Sequence, residues 1–232
     1  MKAFLLIGQS NMAGRGHVGE VPEIRNERCF MLRNGQWGIM TEPVNPDAPI
    51  FGDIYGDLHS GVCLATSFAD AYANTYKEEV GLIPCAHGGT KIAEWMPGEI
   101  LFDHAVFMAK LAMRASELAG ILWHQGCQDA VDPQDAAAHF DRTVQVLTAI
   151  RRELGAEHLP LLVGELAEFT RPLLPQLDKI NEGLRRMPEA LPRCALVRTE
   201  GLTSNRDGVH IDAASLRTFG LRYFTEYQKL RG

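Results

Sequence analysis

The chain has 232 residues, 46% of them hydrophobic and 22% charged, with a formal net charge of −6. That is enough apolar material for one well-buried α/β domain over 1–232, and basic residues scattered through an acidic chain leave no footprint for DNA or RNA. The five cysteines, at 29, 63, 85, 127 and 194, are odd in number and lack any Cys-x-x-Cys pair, which points to a reducing compartment and away from a zinc site.

The first predicted element is a buried strand over 3–8, closed by Gly8, where the chain can turn sharply into Gln9-Ser10-Asn11-Met12-Ala13-Gly14. This apolar run is too short for a signal peptide, and cleavage after it would remove Ser10; no later run approaches the ~18 apolar residues of a membrane span, so a cytoplasmic protein is expected. Residues 17–61, rich in Pro, Gly, Asn and Asp, read as a long loop insertion, with one short strand signal at 29–33 and a hairpin turn at Asn34-Gly35. Trp37, Phe51 and Tyr55 in that insertion offer flat faces for stacking on a ligand ring, or for packing the loop onto the domain.

A second strand, 80–86, ends in His87-Gly88-Gly89-Thr90, and a third, 118–124, ends in Gln125-Gly126-Cys127-Gln128-Asp129. Asp132-Pro133 then suits the start of a helix whose apolar stripe is Phe140, Val144, Leu147, Ile150 and Leu154. Strands at 160–164 and 194–198 follow, and a last helix over 213–230 begins behind Asp212. Short apolar strands alternating with amphipathic segments predict a three-layer α/β/α architecture, a flavodoxin-like parallel sheet of about five strands covered on both faces.

The residues able to do chemistry all fall at strand ends, where open α/β sheets bind their ligands. Ser10 stands between a strand and a helix, a place for a nucleophile and equally for an ordinary helix cap. A serine hydroxyl attacks only when a neutral imidazole takes its proton, and the imidazole needs a carboxylate to fix its tautomer. Asp207-Gly-Val-His210 offers both on one tight turn. The Gly88 and Gly89 backbone and the Gln125 amide are candidate donors to an oxyanion. His87 and His124 have no third convergent ligand at metal-binding spacing, so no metal is expected.

Gly8-Gln-Ser-Asn-Met-Ala-Gly14, Gly88-Gly-Thr-Lys-Ile-Ala-Glu-Trp95, Trp123-His-Gln-Gly126 and Asp207-Gly-Val-His210 resemble, in order, the blocks of the sialate O-acetylesterase and acetylxylan esterase group of the SGNH hydrolases, which includes carbohydrate esterase family six. The resemblance implies the SGNH fold and a cofactor-free esterase acting on acetylated carbohydrate. It assigns Ser10 as nucleophile, His210 as base and Asp207 as its acidic partner, with an oxyanion hole from the Ser10 N–H, a Gly88 or Gly89 N–H and the Gln125 side chain. It also implies a substrate pocket involving Gln9, Arg15, Trp95 and Cys127.

Cys127 departs from the pattern, because many relatives carry a glutamate there that can serve the histidine. Asp207 must then act alone, with Asp129 a neighbouring substitute better suited to capping its loop. A binding or regulatory protein that has lost turnover is the alternative this departure raises, and Cys127 acting as nucleophile is another. Gly8-Gln9-Ser10-Asn11-Met12 breaks the Gly-x-Ser-x-Gly elbow of α/β-hydrolases. A flavin or nucleotide binder would need a phosphate-cradling glycine loop, which the chain lacks.

Overall fold

A computed structural model describes residues 1–46 and 59–231. Its elements run β1 (Lys2–Gly8), α1 (Ser10–Ala13), β2 (Cys29–Arg33), β3 (Gln36–Ile39), α2 (Leu64–Tyr76), β4 (Val80–Pro84), α3 (Ile100–Ala112), β5 (Glu117–His124), α4 (Pro133–Glu153), β6 (Leu161–Gly164), α5 (Leu177–Ala190), β7 (Cys194–Val197) and α6 (Ala213–Arg231). The strands form one seven-stranded sheet in the order β3-β2-β4-β1-β5-β6-β7. Every pairing is parallel except that of β2 with β3.

The sheet therefore has two strands more than the sequence predicts, and both come from the stretch read as a loop insertion. Asn34 and Gly35 adopt positive φ, as a two-residue hairpin turn requires. β2 adds in parallel to β4, and β3 closes that edge as its antiparallel partner. Trp37 on β3 packs over Gly81, where a Cβ would come within 2.6 Å of its ring, so this tryptophan is a packing residue of the sheet edge.

Alternation along β1 builds the two core layers. Ala3, Leu5 and Ile7 face a cluster that includes Phe102, Val146, Leu147 and Leu184 of α3, α4 and α5. Phe4 and Leu6 face the opposite cluster, with Phe68, Tyr72, Phe219 and Tyr227 of α2 and α6. Phe4 lies edge-on to Phe68, with ring centroids 4.8 Å apart, a favoured aromatic geometry. The helix expected after Asp132 begins where predicted: the Asp132 carboxylate accepts from the N–H groups of Gln134 (2.7 Å) and Asp135 (3.2 Å), behind Pro133 in the first turn.

The strand order reverses around β1, with β4 on one side and β5 on the other. The loops after these three strands thus open onto one crevice, the switch point at which doubly wound sheets bind ligands. Gly8 sits at the exit of β1 with φ +132°, where a Cβ would lie 2.1 Å from the carbonyl oxygen of His124; only glycine permits this turn into α1.

Candidate active site

Ser10, at the mouth of that crevice, opens α1, and its Oγ lies 3.0 Å from Nε2 of His210. The partner Nδ1 is 2.7 Å from Asp207 Oδ2. Burial alone would raise the Asp207 carboxyl. The His210 and Val209 N–H groups, at 2.9 and 2.8 Å from Oδ1, and then the imidazole outweigh it and hold this group below its usual range. An ionised carboxylate can only accept, so Oδ2 accepts a hydrogen bond from Nδ1–H and leaves the Nε2 lone pair toward the Ser10 hydroxyl.

The turn carrying His210 is long in reach and tightly held. Ser204 and Ile211 form a short antiparallel bridge, Asn205 N–H donates to the His210 carbonyl at 2.7 Å, and Gly208 at the tip has φ +71°. Asn11, the residue after Ser10, clasps this turn from below. Its amide donates to the Val209 carbonyl (3.3 Å), and its carbonyl accepts from Ile211 N–H (2.9 Å). No local sequence signal marked Asn11, because its partners lie almost the whole chain away.

Gly88 and Gly89 line the crevice beside Ser10 and Gln9. A Cβ on Gly88 would fall 3.5 Å from Ser10 Cβ, so this backbone lies in van der Waals reach of the serine, and Gly89 turns with φ +72°. Asn45 secures that loop in a two-way bond with Ala86, accepting from its N–H (3.1 Å) and donating to its carbonyl (3.0 Å). Arg15 borders the crevice with Nη1 tied to Gly14 O and Ser60 Oγ. Phe51 and Tyr55 lie outside the described residues.

Two expectations require correction. The Gln125 amide is not an oxyanion donor. It is fully buried and donates to the Thr90 carbonyl (3.1 Å) and to Asp129, while its carbonyl faces His139 Nε2 at 2.8 Å. Its partners hold this side chain in the buried layer under the loop, while the chain turns at Gly126, φ +135°. Trp95 is not a pocket wall either: it is fully buried, edge-on to Trp123, with Nε1 donating to Thr90 Oγ1 at 3.1 Å. Gln9 supports the floor, its carbonyl accepting from Gly126 N–H (2.8 Å) and Cys127 N–H (3.0 Å).

Cys127 lines the crevice but is almost covered, and burial pushes its thiol up to about 12, so it is protonated and apolar at neutral pH. Asp129 lies among other partners than His210: its oxygens accept from Ile92 N–H at 3.1 Å and from the Gln125 amide. Burial, against those hydrogen bonds, raises this carboxyl to about 6. A carboxyl raised on folding binds its proton more tightly in the native state, so its contribution to stability falls as pH rises from about 4 through 6. Asp129→Asn keeps one oxygen able to serve both Ile92 and Gln125. Urea titrations from pH 4.5 to 7.5 are expected to show wild type losing stability relative to this variant as pH rises, and a pH-independent difference would rule this account out.

Among the described residues, no three His, Cys, Asp or Glu side chains converge as metal ligands would, and no helix is long and apolar enough to cross a membrane. With this geometry established, residues 1–229 match the model of a family described as carbohydrate esterase, sialic acid-specific acetylesterase. The chain belongs to that family. It is accordingly a carboxylic ester hydrolase of the carbohydrate esterase kind, as the four sequence blocks implied. A probable carbohydrate esterase of Arabidopsis thaliana is 27% identical over 243 residues, covering 97% of this esterase and 89% of the plant protein. An X-ray structure of an Arabidopsis thaliana protein superimposes with a TM-score of 0.87 at 26% identity, covering 98% of each chain. NanS has the same fold, with a TM-score of 0.77 at 15% identity over 98% of this esterase and 96% of its own chain. So does a carbohydrate acetylesterase from Xanthomonas citri, with a TM-score of 0.69 at 18% identity over 98% of this esterase and 56% of its own chain.

Proposed function

We propose that the protein is a serine esterase that removes acetyl groups from carbohydrates through an acyl-enzyme. The observation that carries this reading is the chain of short contacts from Ser10 Oγ to His210 Nε2, and from Nδ1 to Asp207, at the mouth of a crevice lined by glycine backbone.

In the first step Ser10 Oγ bonds to the ester carbonyl carbon while its proton passes to His210 Nε2. The carbonyl electrons move onto oxygen, where the N–H groups of Ser10 and of Gly88 or Gly89 stabilise the developing charge. Collapse of this intermediate breaks the bond to the sugar oxygen, which leaves with the proton from Nε2. Water then gives a proton to Nε2 and attacks the acyl carbon, and the serine leaves as acetate forms. Asp207 keeps the imidazole in its productive tautomer and stabilises the imidazolium. The carboxylate that Cys127 does not supply is thus provided by Asp207. This supports turnover over a binding-only role, and the high thiol pKa argues against cysteine as nucleophile.

The acetyl group and the carbohydrate alcohol are supported by the family description and by the neighbour named as an acetylesterase, whereas the side chains support acyl transfer in general. Treating the protein with an aryl ester of a small alkylphosphonate and weighing the digest is the direct test. A single adduct on the peptide carrying Ser10, with parallel loss of acetate release from an acetylated sugar, is the expected result. Labelling elsewhere, or no acetate release from folded protein, would end the reading.

A further inference from the structure

The crevice at Ser10 has two arms, one carrying charged side chains and the other walled mainly by aliphatic ones, and His210 borders both. One, of about 480 Å³, carries Arg15, His17, Asn205, Arg206 and Asp207 beside Val18 and glycine backbone and does not include Ser10. The other, of about 340 Å³, contains Ser10, Gly88 and Gly89, and its far wall is Cys127, Val131, Leu173, Leu174 and Val209. Leu174 and Cys127 are buried at its floor, while Val131 and Leu173 stand half-exposed at its rim. Leu173 also reaches the tip of the His210 turn, where a Cβ on Gly208 would lie 3.6 Å from its methyl group.

The carbonyl carbon must sit on Ser10 with its oxygen toward the glycine N–H groups, which places the acyl half of the ester in the arm that contains them. The alcohol oxygen must lie within reach of His210 Nε2, and His210 also opens onto the arm that carries Arg15, Asn205 and Arg206, whose side chains can meet sugar hydroxyls. An acetyl group has one methyl to put against the apolar wall, whereas the arm has a volume at the lower end of those that hold whole small molecules. Two large apolar side chains left open to water on the rim are also surface that a longer chain would cover.

We infer that the apolar arm beside Ser10 is an acyl-chain subsite, and that the enzyme hydrolyses carbohydrate esters of short-chain acids longer than acetic acid, propionyl and butyryl among them. This deepens the proposed function and rests on it, since the chemistry is the same acyl transfer with a longer R group on the carbonyl. Each methylene withdrawn from water into the arm favours the transition state by about fourfold in kcat/KM. The rate constant is expected to climb from acetyl through propionyl to butyryl esters of one common alcohol.

The experiment is kcat/KM for 4-nitrophenyl acetate, propionate, butyrate and hexanoate, and for the acetate and butyrate of one methyl glycoside, on wild type, Leu173→Asp and Val131→Asp. Both substitutions replace half-exposed residues, and their thermal unfolding is followed alongside. The expected result is a butyrate-to-acetate ratio of about ten or more in wild type that falls several-fold in each variant. Acetate turned over with butyrate slower would overturn the inference and leave the esterase reading standing. So would variants that slow all esters alike, because the apolar wall would then hold the alcohol. If no ester is turned over by folded protein, the proposed function fails and the inference falls with it.

Discussion

Ser10→Ala is expected to lower kcat on acetate esters by roughly 10⁴- to 10⁶-fold, the loss seen when a triad nucleophile is removed. The size follows from what the hydroxyl alone does here. Ser10 Oγ is the atom that meets His210 Nε2, and Cys127, with its thiol raised to about 12, is too little ionised to take over. Alanine removes a single oxygen from a nearly covered position and leaves the backbone N–H and its glycine neighbours in place. Substrate affinity and the unfolding midpoint should therefore change little, so that the loss falls on kcat. Esterase activity within about tenfold of wild type, in protein shown free of contaminating enzyme, would remove Ser10 from the mechanism.

Asp207→Asn is the second large effect, with kcat lower by roughly 10³- to 10⁴-fold at neutral pH. Its Oδ1 holds two backbone N–H groups of its own turn, and asparagine can keep that oxygen in place. The remaining NH₂ would then face Nδ1 where a carboxylate oxygen had accepted a hydrogen bond from Nδ1–H. The ring would answer by keeping its proton on Nε2 and pointing it at Ser10, the tautomer that cannot act as base. At high pH hydroxide can remove the serine proton instead, so the variant should recover partly above pH 9 whereas wild type should not rise. Asp207→Ala, which also frees the two N–H groups, is expected to lose stability as well. A kcat within a few-fold of wild type for Asp207→Asn would mean that His210 finds its carboxylate elsewhere.

Much of this site was legible because its residues are local and fall at strand ends: Ser10 after a buried run, glycines after two others, and Asp207 and His210 on one turn. The five apolar strands were readable for the same reason, four of them being buried on both faces between helices and β7, at the far edge, half-buried but still a continuous apolar run. β2 matches the strand signal at 29–33, although that signal was left outside the five-stranded count, and β3 was missed because it is a largely exposed edge strand with no apolar run. The direction of Gln125 was illegible because its partners Thr90 and His139 come from other loops and helices, and only the fold brings them and Asp129 together around its amide. Asn11 and Asn45 were missed because a polar residue whose partners are remote in sequence leaves no local periodicity. The apolar arm was missed because Val131, Leu173 and Val209 come from three separate loops.

The clasp of Asn11 on the turn before α6 ties the two ends of the chain together at the point of chemistry. Nucleophile and base are 200 positions apart, so the reactive pair does not exist until the last helix has docked beside the first strand. A chain still emerging from the ribosome carries its serine as an inert alcohol, and recovered hydrolysis during refolding is a late clock, ticking only after the C-terminal segment has closed onto the rest.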